Sequence, residues 1–220
     1  MHAGWFRVSV IAAIDDDRRP CVWRAGFGAF GGAALMLVSI VACTSKASID
    51  WSAKENFFAV EKVGKNDDDS VRLEYHSLVD APADAVYQAL AEPENYVAFV
   101  KGVTDSGKIS GEGNTRVIHI TQSVIGRQTR ARVKYTFHPE QRKIEFQTIE
   151  SDSTLNDGKY DIAASPDGKR AYVITVFNVR EKSGQKMPPG VVMSGTRESF
   201  LEAAQSVKAR ALGQNLKKPS

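Results

Sequence analysis

The chain has 220 residues, 42% of them hydrophobic and 25% charged, with a formal net charge of +3. That length allows one ordinary domain with terminal extensions, the composition excludes wholesale disorder and a multi-span membrane protein, and the near balance of charge argues against nucleic acid as a partner. Both cysteines, Cys21 and Cys43, lie near the N-terminus, so residues 44–220 can hold no disulfide framework, thiol nucleophile or cysteine metal site.

Arg18, Arg19 and Arg24 precede an uncharged stretch, residues 25–45, whose later part is the apolar run from Leu35 to Val41. A basic region followed by an apolar stretch and then small residues is the layout of an export signal. Its end, Ile40-Val41-Ala42-Cys43, resembles the lipobox of bacterial lipoproteins. That resemblance implies a signal peptide over residues 1–42 and lipidation of Cys43. An uncleaved span and plain cleavage are the alternatives, because about 20 apolar residues suffice to cross a bilayer; Gly26, Gly28, Gly31 and Gly32 weaken the first of them. All three place the rest of the chain in the cell envelope, facing the periplasm or the exterior. Thr44 in place of an Asp after the cysteine points, by the same analogy, to the outer membrane. Residues 43–70 are polar, end in Asn66-Asp67-Asp68-Asp69, and read as a tether on which Trp51 and Phe57-Phe58 rest against the domain or the lipid.

From Val71 to Val79 the alternation predicts a half-buried strand with Val71, Leu73, Tyr75, Ser77 and Val79 on one face. Asp80-Ala81-Pro82 ends it and opens a helix, since proline is tolerated in a first turn and Asp84 then lies near the positive end of the helix dipole. A second short helix begins at Glu92-Pro93-Glu94. From Gly102 to about Arg180 the period is two, broken at Gly111–Asn114, Ile125-Gly126, His138–Glu140 and Ser165–Gly168, which predicts an antiparallel meander. Its clearest strand, Gln128–Phe137, places Thr129, Ala131, Val133, Tyr135 and Phe137 on one face. Ile118 with Ile120, Ile144 with Phe146, and Tyr172 with Ile174 and Val176 are expected to extend that inward surface. From about Pro189 to Leu212 the period returns to 3.6, with Met193, Thr196, Phe200, Ala203, Ala204, Val207 and Ala211 in one stripe, and Gly213 terminates the helix before a frayed tail, residues 213–220.

Two segments, Asp80–Leu90 (DAPADAVYQAL) and Glu92–Val103 (EPENYVAFVKGV), resemble the START-like or SRPBCC superfamily, especially its polyketide cyclase and coenzyme Q-binding branch. The similarity spans about residues 71–212. It implies an α+β helix-grip fold, a curved antiparallel sheet wrapped around the long C-terminal helix, with an apolar cavity between them. A lining of Phe99, Ile118, Ile120, Tyr135, Phe137, Phe146, Tyr172, Ile174, Met193 and Phe200 follows from the pattern, and the partner is then an apolar small molecule such as a lipid, quinone or sterol. The bland reading is that these residues fill a solid core.

No nucleophile with its base, carboxylate pair or ligand set at metal spacing is visible, so no catalytic residue, metal or cofactor is assigned. His76, His119 and His138 are scattered, and Asp152, Asp157 and Asp161 lack the spacing of a calcium loop. Arg130, Arg132 and Lys134 form a basic stripe that reads as a solvated strand face and, alternatively, as a docking surface for anionic lipid or an acidic partner. A cyclase-type enzyme using Tyr135 or a histidine, and an envelope interaction module with a filled core, are the competing functions. Nothing in the pattern fixes an oligomeric state.

Overall fold

The computed structural model describes residues 48–124, 127–182 and 188–214. The expected signal, the lipobox with Cys43 and the end of the tail lie outside these residues.

Eight antiparallel strands form one sheet: β1 (Asn56–Lys65), β2 (Val71–Val79), β3 (Val103–Ser110), β4 (Thr115–Val124), β5 (Arg127–His138), β6 (Lys143–Ser151), β7 (Thr154–Ala164) and β8 (Ala171–Glu181). Their spatial order is β1-β2-β8-β7-β6-β5-β4-β3, so β3 to β8 form a meander and β2 closes it against β8. Between β2 and β3 lie helix α1 (Ala83–Leu90), a short 3-10 turn (Pro93–Asn95) and helix α2 (Tyr96–Phe99); helix α3 (Pro189–Ala211) ends the domain.

The inward face follows from the pairing. Tyr75 sits opposite Thr175, Thr175 opposite Tyr160, and Tyr160 opposite Ile144, so these residues of neighbouring strands share one side. Val133 likewise sits opposite Ile118. Leu73, Tyr75, Ile118 and Ile144 are wholly buried there, each worth roughly 1.5–3 kcal/mol relative to exposure. Helix α1 covers one end of this face through Val86, Tyr87 and Leu90, which join Ile118, Phe137, Ile144, Ile162 and Val173 in the main core.

Helix α3 is held on both flanks, and that makes the grip. On the β1 side the Phe200 ring stacks on Tyr75 at 4.5 Å and lies 5.6 Å from Phe58, the Arg197 guanidinium covers Phe58 at 4.1 Å, and the Lys208 ammonium meets the Glu55 carboxylate at 2.7 Å. On the other side Lys101 pairs with Glu202, and the Lys101 backbone N–H donates to the Ser206 hydroxyl at 3.2 Å. A sheet whose two margins both reach one helix must be strongly curved. The helix-grip architecture expected from the sequence is the one observed.

Two expectations need correction. The segment read as tether contains β1, which pairs along β2 with Val63 opposite Leu73 and Glu61 opposite Tyr75. Its charges are the reason it reads as solvated: Glu61, Lys62 and Lys65 are ion-paired with Arg197, Glu74 and Asp69, respectively, a composition that also protects an edge strand from pairing with other chains. Within β8 the phase is the reverse of the expected one. Ala171, Val173, Thr175, Phe177 and Val179 face inward by their pairing with β2 and β7, and Tyr172, Ile174 and Val176 face outward.

Candidate functional site

Between the sheet and α3 lies a cavity of about 310 Å³, within the range of small-molecule sites. Its wall is assembled strand by strand. β4 supplies Ile120 and Gln122, β5 supplies Thr129, Ala131, Val133 and Tyr135, β6 supplies Phe146 and Thr148, β7 supplies Asn156 and Tyr160, and β8 supplies Val173, Thr175 and Phe177. Phe200, Ala203, Ala204 and Val207 of α3 form the roof, and Val86 and Leu90 of α1 close one end. The small roof residues matter physically, because Ala203 and Ala204 leave the space that larger side chains would fill.

The wall is chiefly aromatic along its middle. The Phe146 ring lies 6.2 Å from Tyr135, 5.4 Å from Tyr160 and 5.7 Å from Phe177, while Phe177 reaches Phe200 at 6.3 Å. Gly158, opposite both Phe146 and Phe177 in the sheet, makes room for this cluster. A Cβ there would lie 2.7 Å from the Phe146 ring tip and 1.9 Å from the Val176 carbonyl oxygen. At the other end the lining turns polar, with Gln122, Thr129, Ser151, Thr154 and Asn156 near the strand ends and Ser199 on α3. Gln122 and Ser199 are solvent-exposed and mark the mouth.

Two phenols stand out within the apolar part. Burial pushes the Tyr135 hydroxyl far up from its ordinary value, reinforced by the neighbouring Tyr160 phenol, and burial pushes Tyr160 up to about 12. Both therefore remain neutral O–H groups at any physiological pH. Tyr96 is pushed well up by burial too, but its hydroxyl donates to the Leu90 carbonyl at 2.8 Å and serves to tie α2 to α1. Lys208 carries the charge among the described lining residues, and Glu55 pairs with it.

Of the ten residues expected to line a cavity, Ile120, Tyr135, Phe146 and Phe200 lie in its wall. Ile118 and Phe137 are in the core with α1, where the Arg116 guanidinium lies 4.0 Å over the Phe137 ring. Phe99 packs edge-on against Tyr96 at 5.6 Å, and Met193 sits beside Val71, Leu73, Val179 and Val192. Tyr172 and Ile174 are on the outer face, where the Tyr172 hydroxyl and the His76 Nδ1 lie 2.9 Å apart. Sequence reasoning missed Tyr160 and Phe177. The Phe177 signal was present, because the alternate phase of β8 ends in Asn178 and Arg180.

The other candidates lie outside the cavity. His76 Nε2 meets Glu74 at 2.8 Å, His119 pairs with Asp105 at 3.2 Å, and His138 lies 3.6 Å from Glu145. Arg132 of the basic stripe pairs with Glu150 at 3.0 Å. Among the described residues no group of three His, Cys, Asp or Glu side chains is placed to hold a metal, and no helix is long and apolar enough to cross a membrane.

Among solved structures the fold is similar to the ZhuI aromatase/cyclase from Streptomyces sp. R1128, at 16% identity and a TM-score of 0.57, over 64% of this chain and 93% of that one. It is similar as well to a START superfamily protein from Mycobacterium smegmatis, at 12% identity and a TM-score of 0.57, over 64% of this chain and 97% of that one. The major latex-like protein 151 of Panax ginseng matches at 12% identity and a TM-score of 0.54, over 65% of this chain and 98% of that one. No curated protein matches the chain in sequence. The model of the family described as polyketide cyclase / dehydrase and lipid transport matches residues 79–204, and with the helix-grip fold just described the chain belongs to that family, within the START-like SRPBCC superfamily.

Proposed function

We propose that this protein binds, shields or transfers an apolar small molecule, of the lipid, quinone or sterol kind, at a bacterial envelope membrane to which its N-terminus ties it. The observation that carries the reading is the cavity: about 310 Å³ of space lined mostly by apolar and aromatic side chains, closed by α1 at one end and bordered by exposed polar residues at the other. Apolar walls with few polar groups are what such ligands require. The wall holds no histidine or carboxylate among its described residues, burial keeps its Tyr135 and Tyr160 hydroxyls protonated and Lys208 is paired with Glu55, which supports binding over a reaction that needs a general base. The membrane part of the reading is supported by the basic-then-apolar order of residues 18–45 and by Cys43 at its end.

The test is purification of the full chain from the membranes of an exporting host, followed by solvent extraction and mass spectrometry. An apolar molecule is expected to co-purify near one per chain and to be lost from an Ala204→Phe variant that stays folded, because the added ring occupies the cavity. Cys43→Ser is expected to release the protein from the membrane fraction. A chain that carries nothing and takes up no lipid, quinone or sterol would overturn the binding reading.

A further inference from the structure

Beyond the reading that the cavity binds an apolar molecule, on which this rests, we infer that it selects a flat ring compound bearing a carbonyl oxygen, held by hydrogen bonds from the Tyr135 and Tyr160 hydroxyls. A tyrosine hydroxyl taken out of water nearly always finds a partner, since burying it unpaired costs on the order of 1–3 kcal/mol. Outside this pair three tyrosines follow the rule. Tyr96 donates to the Leu90 carbonyl, the Tyr75 hydroxyl lies 3.4 Å from the Thr196 hydroxyl, and the Tyr172 hydroxyl meets His76. Tyr87, 4% exposed in the core with α1, makes no hydrogen bond among the described residues and lies outside the cavity wall. Tyr135 is 6% exposed and Tyr160 is partly buried; neither hydroxyl makes a hydrogen bond among the described residues, and, unlike Tyr87, both belong to the cavity wall and open onto its space.

These two phenols sit on either side of Phe146, on β5 and β7. Both belong to the wall of the same cavity, and burial, with the Tyr160 phenol adding to it, holds the Tyr135 hydroxyl protonated. Both stay protonated, so both present donors. A carbonyl oxygen has two lone pairs and can accept from both at once, whereas an alkyl chain offers neither phenol a partner. The faces and edges of Phe146 and Phe177 favour a planar ring beside them, because offset and edge-on ring contacts add to simple burial. Shape and polarity thus point to the same class.

The test compares 9-fluorenone with fluorene, two flat molecules of nearly the same outline that differ in the carbonyl oxygen, with 1-dodecanol as a linear control. Binding to the full chain, kept soluble in an amphipathic polymer, is read by equilibrium dialysis against the polymer alone. Fluorenone is expected to bind about tenfold tighter than fluorene. Tyr135→Phe and Tyr160→Phe should each weaken fluorenone roughly threefold, and the double variant should bind the two ring probes equally. Equal binding of both ring probes to the wild type, a preference that survives in the double variant, or binding of dodecanol alone would overturn the inference and leave the binding reading standing. If none of the three probes binds, the inference falls, and the binding reading falls with it only if no apolar molecule co-purifies with the chain.

Discussion

The two faces of the sheet treat polar groups in opposite ways. On the outer face they satisfy one another: Glu74 takes Lys62 at 2.8 Å, Arg72 at 3.1 Å and His76 at 2.8 Å, and His76 in turn meets Tyr172. On the inner face, in far drier surroundings, Tyr135 and Tyr160 have no such partner among the described residues. Water can complete any hydrogen bond the outer ladder lacks, so its bonds are worth little each. Inside, an unmet donor costs more than a met one gains. The contrast separates groups that stabilise the fold from groups left open for something else to meet.

The largest way to break the contrast is to close the inner face from within. Gly158→Ala brings a Cβ to 1.9 Å from the Val176 carbonyl oxygen and 2.7 Å from the Phe146 ring. The first contact is with backbone, which cannot move aside as a flexible side chain does, so β7 and β8 must separate locally. Overpacking of this kind costs about 1–3 kcal/mol, and a clash with backbone belongs at the upper end. The expected result is a loss of that size in urea denaturation, and a variant within about 0.5 kcal/mol of the wild type would show that the aromatic cluster does not depend on the glycine.

That dependence explains what could be read from sequence and what could not. The two faces of β5 are legible because Arg130, Arg132 and Lys134 alternate with Ala131, Val133 and Tyr135, and its pairing follows that phase. β8 is apolar on both faces between Ala171 and Phe177, so period two alone cannot orient it; Asn178 and Arg180 at its end carry the deciding information. Tyr160 was hidden by Asp157, Lys159 and Asp161, which are polar outward-facing neighbours in the same strand. β1 was hidden by its charges. The fold could be read from element order and the two family-like segments, whereas the cavity wall depends on strand phase. A single phase error moves a whole strand's side chains to the other face.

A smaller effect tests the outer ladder by pH. Hydrogen bonding from Lys62 and then His76, with Arg72 adding to it against the opposing effect of burial, lowers Glu74 from 4.5 to about 2. A carboxyl lowered in the folded state contributes stability above its unfolded value, and that contribution is lost as pH falls from about 4.5 towards about 2. Glu74→Gln should therefore cost about 1–2 kcal/mol at neutral pH, a figure reduced for solvent screening of the partly exposed partners. The difference from wild type should shrink through that acid window and vanish at its lower end. A gap that persists unchanged at the acid end would mean Glu74 acts by packing rather than by charge.

The smallest expected effect is the sharpest, because it applies one chemical change to both faces. Tyr172→Phe removes a hydroxyl that is bonded to His76 and leaves the half-buried imidazole without that partner, which should cost about 1 kcal/mol. Tyr135→Phe removes a hydroxyl that no described residue meets, so the ligand-free protein should lose nothing and can gain up to about 0.5 kcal/mol. Urea denaturation of the two variants with and without fluorenone decides it. Without ligand only Tyr172→Phe should be destabilised; with ligand Tyr135→Phe should lose part of the protection that bound fluorenone gives the wild type, because less of the ligand is held. Equal losses in the absence of ligand would mean that the Tyr135 hydroxyl has a stabilising partner of its own, and the two faces would then differ in dryness alone.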